Sequence, residues 1–206
     1  MKHALPYEAI VLATKKDERA LIRNIPFIYR NIGVERVFVI ANERDKCWIQ
    51  KIDGATFFDE SKVYPGLNID SIKNKILSLT GSEKYAGWYL QQFLKMAWCY
   101  QTSGENYICV DADTSILNKI SYITDDGRYY LTVKIEFHKQ YFDTIDNLFN
   151  HEINRNREGS FIAEQMIFDC NYMKEIINVI ESKNDLKPFY DIVLESLFPR
   201  SLTATT

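Results

Sequence analysis

The chain has 206 residues, enough to bury most of its apolar surface around one core, so a single compact domain is the expectation. Its 25 Lys and Arg against 28 Asp and Glu leave a net charge of -3, which argues against the broad basic footprint of a nucleic-acid binder. Apolar content of 46%, with 13 Tyr and 12 Phe, argues against disorder through most of the chain.

Cys47, Cys99, Cys109 and Cys170 are scattered, with no CxxC pair and no His at zinc-like spacing, and read as reduced packing residues. The apolar run near the N-terminus spans only about six residues, too short for a signal-peptide core or a membrane span. A cytoplasmic protein without a transmembrane segment is therefore expected.

Glu8 to Thr14 is an apolar run that stops at a charged cluster, which predicts a central parallel strand buried on both faces. Asp17 is a candidate helix cap, followed by Leu21, Ile25, Ile28 and Ile32 at helical spacing up to Gly33. Pro26 inside that pattern predicts a kink. Glu35 to Ala41 repeats the buried-strand pattern, and Ala55 to Phe58 adds a short strand after the Asp53-Gly54 turn.

Asn68 to Leu79 reads as a helix, and a stronger one runs from Tyr85 to Gln101 before the Ser103-Gly104 break. On the latter, Leu90, Phe93, Leu94 and Ala97 share one face, while Trp88, Gln91, Gln92, Lys95 and Cys99 gather on the opposite one. Tyr107 to Val110 is then a buried strand that ends in Asp111-Ala112-Asp113-Thr114. Strands and helices alternating in this way predict an α/β fold, a mostly parallel sheet with helices on both faces. Further on, Tyr129 to Ile135 alternates like a strand, Tyr141 to Phe149 reads as a helix, and His151 to Gly159 is a polar loop expected to be mobile. Phe161 to Phe168 is an apolar strand interrupted by Glu164 and Gln165, and Met173 to Ile180 an amphipathic helix; the tail from Ser201 is expected to fray.

The acidic pair is the most informative motif. Two carboxylates follow an apolar strand at its carboxyl end, the edge at which open parallel sheets bind ligands. In an extended segment Asp111 and Asp113 would project to the same side and share one cation. Hard oxygen ligands suit Mn²⁺ or Mg²⁺, which fill their remaining positions with phosphate oxygens and water. Solvated aspartates in a strand-end turn are the bland alternative, and the apolar strand immediately before the pair weighs against it. The haloacid-dehalogenase-like phosphatase motif is a rival for the same letters. Ser115 stands where that motif carries Thr or Val, and Asp111 lies at mid-chain rather than on the first strand.

Three segments carry a family resemblance: the opening strand with Thr14-Lys15-Lys16-Asp17, the helix Gly87-Trp88-Tyr89-Leu90-Gln91-Gln92-Phe93-Leu94-Lys95, and Tyr107 to Thr114 with the acidic pair. In order and separation they resemble a family of bacterial glycosyltransferase-like proteins of the A-type, Rossmann-type fold, long described only as a domain of unknown function and related to capsule and lipopolysaccharide enzymes. Ser160 to Phe168 looks like a later strand of that family, which usually carries His where Glu164 or Gln165 stands here. The resemblance implies one A-type domain over residues 1–200, its nucleotide-binding half over about 1–115 and its acceptor side over about 116–200. Such enzymes commonly run longer at the C-terminus, so a minimal or truncated version is expected.

What the resemblance implies is transfer of a sugar from a nucleotide-diphosphate donor to an acceptor hydroxyl, in surface polysaccharide synthesis. Asp111 and Asp113 would hold Mn²⁺ or Mg²⁺; Thr14, Lys16, Asp17, Gln91, Gln92, Lys95 and Asp111 would line the donor site. Asp17 is equally a helix cap. Glu164 and His138 are the candidate catalytic side chains, Glu164 as general base or else as half of a structural ion pair. The partners would be the nucleotide-sugar and a glycan or lipid-linked acceptor, with peripheral association at the inner membrane. Two other readings stand beside this one. A nucleotidyltransferase making nucleotide-sugars shares the sheet and the cation, but Thr14 to Arg19 lacks the Gly-rich loop; a non-catalytic sugar- or nucleotide-binding relative is the other.

Overall fold

The structure is a computed structural model and describes residues 8–135, 138–149, 160–182 and 187–198. The polar stretch 151–159 and the tail 201–206 lie outside the described residues.

The first apolar run forms β1 (Glu8–Leu12), buried along its whole length. A 3-10 turn over Lys15–Asp17 leads into α1 (Glu18–Ile32), which runs on through Pro26 as one helix and ends at Gly33 with φ 81°. That left-handed conformation suits glycine. β2 (Arg36–Ala41), the short α2 (Lys46–Ile49), β3 (Ala55–Asp59), α3 (Ile69–Thr80) and α4 (Ala86–Ala97) follow, then β4 (Asn106–Val110). The second half contributes α5 (Lys139–Phe149), β5 (Gln165–Asp169), α6 (Cys170–Ser182) and α7 (Phe189–Leu197).

The strands form one sheet in the order β3-β2-β1-β4-β5. β1 is central and pairs in parallel with β2 and with β4; β3 is parallel to β2, and β5 alone is antiparallel, on β4. Side-chain alternation along β1 explains the two-sided burial. Ile10 and Leu12 join a core with α3, α4, α6 and α7, while Ala9 and Val11 join the opposite core with α1 and α2. The chain is thus a single α/β domain, a mostly parallel sheet flanked by helices, as the sequence predicted. Among the described residues, no helix is long and apolar enough to cross a membrane.

Four local expectations need correction. Tyr129 to Ile135 does not form a strand. Only the isolated bridges Ile123 with Tyr129 and Lys134 with Ser160 occur there, and Tyr130, Leu131, Val133 and Ile135 are exposed. Their alternation has no continuous partner strand to satisfy. The later strand starts at Gln165 rather than Phe161. Cys99 is buried, because α4 tightens into a 3-10 turn at Trp98–Tyr100 and rotates it into the core. Cys47, expected to pack inside, is exposed.

Candidate active site

The acidic pair sits where β4 leaves the sheet. The Asp111 N–H donates to the Glu164 carbonyl at 2.8 Å, continuing the pairing with the residues before β5, and the Thr114 N–H then closes a turn on the Asp111 carbonyl at 3.0 Å. Residues 111–114 are therefore a turn and not the extended segment inferred from the sequence. Asp111 and Asp113 nevertheless line the same cavity, of about 240 Å³; Asp113 is exposed and Ala112 between them is buried.

Two buried asparagines of α1 hold that turn and the segment that follows it. The Asn24 amide donates to the Ala112 carbonyl at 2.9 Å and accepts from the Ser115 hydroxyl at 2.6 Å. The Asn31 side-chain amide donates to the Ile116 carbonyl, and the Asn31 backbone carbonyl accepts from the Ile120 N–H at 2.9 Å. Both are buried. Neither was singled out from the sequence, although the signal was present: Asn24 and Asn31 fall on the same helical stripe as Leu21, Ile25, Ile28 and Ile32, where a polar residue needs a buried partner.

α4 forms the facing wall. Lys95 places its ammonium 2.7 Å from Asp111 Oδ1, and the buried Tyr107 of β4 donates its hydroxyl to the Lys95 carbonyl at 2.6 Å, tying that turn of helix to β4. Lys16, Asp17, Gln91 and Gln92 line the same cavity. Asp17 serves locally as well: its Oδ2 accepts from the Thr14 N–H at 2.8 Å and from the Thr14 hydroxyl at 3.0 Å. Asp17 stands at the cap position of α1 but makes no side-chain bond to that helix, so the expected capping role is not realised; its carboxylate instead closes the preceding 3-10 turn onto Thr14.

A second cavity of about 420 Å³ adjoins the first and shares Leu12, Lys16, Trp88 and Gln91 with it. Thr14 lies here, with Ile40, Ile69 and Leu94 as apolar wall and Asn42, Arg44, Asp45 and Glu60 as polar rim. The Asn42 amide donates to Glu60 Oε1 at 3.0 Å. Loss of water around Glu60 raises its carboxyl above the ordinary value, against the lowering effect of the Asn42 bond. A third cavity, of about 300 Å³, lies on the other side and shares Trp88, Gln92 and Lys95 with the first. Tyr141 and Phe161 line it, and the Trp88 and Tyr141 rings lie nearly parallel with centroids 6.2 Å apart.

Glu164 also lines this third cavity. It is exposed and pairs with Lys134 at 2.6 Å, and that hydrogen bond holds its carboxyl below the ordinary range. His138 is exposed and is not among the residues lining these three cavities; its ring centroid is 5.3 Å from that of Tyr141, which is. Trp88 touches all three and is 43% exposed.

Among the described residues, no group of three or more His, Cys, Asp and Glu side chains converges as a metal cage. What Asp111 and Asp113 offer is a pair of oxygen donors on an open wall. That donor set fits a hard divalent cation that draws its other ligands from phosphate oxygens and water.

No protein-family profile matches the chain, and no curated protein does. Among solved structures it is similar to the galactosyltransferase LgtC in complex with donor and acceptor sugar analogues, at 13% identity and a TM-score of 0.47, covering 93% of this chain and 70% of that one. It is similar to the bifunctional glycosyltransferase WbbM at 10% identity and a TM-score of 0.48, over 94% of this chain but 37% of that one. The mannosyltransferase Ktr4p from S. cerevisiae, in complex with GDP, is similar at 13% identity and a TM-score of 0.45, covering 95% and 66% of the two chains. All three are glycosyltransferases, and the likeness is one of overall fold.

Proposed function

We propose that this chain is a metal-dependent glycosyltransferase that binds a nucleotide-diphosphate sugar along the carboxyl edge of its sheet. One observation carries the reading: Asp111, Asp113, Lys95, Gln91, Gln92, Lys16 and Asp17, drawn from three separated segments, line a single cavity. That cavity opens on one side to an apolar slot with a polar rim and on the other to an aromatic one.

In this reading the nucleoside occupies the 420 Å³ cavity, with Leu12, Ile40 and Leu94 covering the base and Thr14, Asn42 and Glu60 available to its polar edge. The diphosphate lies in the 240 Å³ cavity, where Lys16 and Lys95 offset its charge. Asp111 and Asp113 would hold Mn²⁺ or Mg²⁺, which when bound stabilises the charge that builds on the leaving diphosphate. Gln91 and Gln92 offer amide groups to the sugar hydroxyls.

The acceptor enters the 300 Å³ cavity, where Trp88, Tyr141 and Phe161 present ring faces to the apolar side of a pyranose. Glu164 stands in this cavity as the candidate base for the acceptor hydroxyl proton, its carboxylate 2.6 Å from the Lys134 ammonium. His138 is the second candidate, acting beside Tyr141. A glycan or lipid-linked acceptor of a bacterial surface polysaccharide is the substrate class the sequence resemblance suggests, with the chain in the cytoplasm or at the inner membrane face.

Calorimetric titration of the protein with uridine, guanosine and cytidine diphosphates, each with and without manganese, tests the reading. Manganese-dependent binding of at least one is the expected result. No binding of any of them would remove the nucleotide-sugar assignment.

A further inference from the structure

The donor cavity already holds a cation of its own. Lys95 Nζ lies 2.7 Å from Asp111 Oδ1, and its side chain is 16% exposed against 39% for Asp111. An ammonium so placed balances the carboxylate, and a divalent ion arriving at the same group meets a positive charge within a few ångströms. The two do not share Asp111 comfortably.

The rest of the lysine is arranged to let that charge move. Its backbone is pinned, because Tyr107 donates its hydroxyl to the Lys95 carbonyl at 2.6 Å and to the Met96 carbonyl at 3.2 Å. Its stem carries a compact ammonium with three donors on four flexible carbons. The side chain lines both of two cavities, of about 240 and 300 Å³, so a partner bound in the first lies beside it. A diphosphate there supplies several anionic oxygens.

We infer that Lys95 is an exchangeable counter-ion, holding Asp111 when the site has no nucleotide and passing to the diphosphate when one binds. This rests on the glycosyltransferase reading and deepens it. Metal and diphosphate then favour each other's binding, because the arriving anion removes the charge that opposed the metal. Such coupling is reciprocal. Loss of Lys95 therefore has opposite effects on two equilibria: manganese alone binds more tightly, and the gain from adding diphosphate shrinks. A lysine that merely packed α4 against β4 would produce neither change, and one that only bound phosphate would leave binding of manganese alone unaltered.

The test uses the full chain, manganese as the metal and inorganic pyrophosphate as a base-independent diphosphate, with protein-bound manganese read by equilibrium dialysis against the same manganese and pyrophosphate. In Lys95→Met, which keeps the apolar stem, manganese alone is expected to bind about tenfold more tightly than in the wild type, and the enhancement by pyrophosphate to fall by a similar factor. Lys95→Arg keeps the wild-type pattern. Lys95→Gln replaces the Met variant, with the same expectation, if circular dichroism shows the latter unfolded. Unchanged or weaker binding of manganese alone by the folded variant overturns the exchange alone, whether or not the pyrophosphate enhancement falls. If wild-type protein with pyrophosphate takes up no manganese, or takes it up undiminished after Asp111→Asn, the metal reading fails and the exchange fails with it.

Discussion

The side-chain amide of Asn24 donates to the backbone carbonyl of Ala112 at 2.9 Å, joining positions 88 residues apart in the chain. It is a buried strut of the acidic turn, and the same side chain accepts from Ser115. Replacing it by Leu leaves a buried carbonyl and a hydroxyl without their partner, a loss of about 1–3 kcal/mol of stability. Urea unfolding reads that loss, and manganese titration is expected to show weaker binding in the same variant because the turn is no longer fixed. Wild-type stability and wild-type metal affinity together would show that the strut positions nothing.

Trp88 tests whether the three cavities act as one site. It lies on α4, 43% exposed, and lines all of them. Trp88→Ala is expected to alter stability by no more than about 1 kcal/mol, as for a substitution outside the core. Sugar transfer should fall by at least about tenfold, the loss of roughly one aromatic contact. Thermal unfolding and initial transfer rates measured on one preparation separate these; a large fall in melting temperature with little change in rate would assign Trp88 to packing.

Glu60 gives the site a pH signature. Loss of water raises its carboxyl above the ordinary 4.5, with Asn42 opposing and Asp59 adding to the rise. A carboxyl that is harder to ionise in the folded chain than in the unfolded one contributes stability below its unfolded value. That contribution disappears as the pH climbs through the raised folded value. Glu60→Gln keeps an oxygen for Asn42 and carries no charge, so it should unfold at higher urea than the wild type at neutral pH and at the same urea near pH 3. Equal midpoints at both values would contradict the desolvation of Glu60.

Glu164 and Lys134 separate chemistry from structure. Their 2.6 Å pair permits either role, and the two differ in which reaction suffers. If Glu164 accepts the acceptor proton, Glu164→Gln lowers transfer to acceptor by about 10²-fold or more, the range of general-base contributions. Hydrolysis of the donor by water is spared more. Transfer that survives both Glu164→Gln and Lys134→Ala would leave the pair a surface contact and shift attention to His138.

Much of the fold was legible because buried strands announce themselves. The runs over β1, β2 and β4 are continuous and apolar, and both faces of each are covered. The same reasoning failed at Tyr129 to Ile135, where alternation was read as pairing, yet whether a strand forms depends on a neighbour the local sequence does not name. In the site, α4 was readable because Leu90, Phe93, Leu94 and Ala97 mark the buried face and leave Gln91, Gln92 and Lys95 outside it. The acidic pair follows β4 directly, as the sequence implies, but the backbone there turns instead of extending. The Lys95 to Asp111 contact spans 16 residues, and Asn42 meets Glu60 only after β2 and β3 have paired. Such contacts follow from strand order, which local spacing does not encode.

The most direct test is manganese-dependent hydrolysis of a panel of nucleotide-sugars by wild-type protein and by Asp111→Asn and Asp113→Asn. The wild type should release nucleoside diphosphate from at least one donor only when manganese is present, and each variant should lose about 10²-fold or more of that activity. Release that needs no metal, or that proceeds undiminished in both variants, would contradict the account.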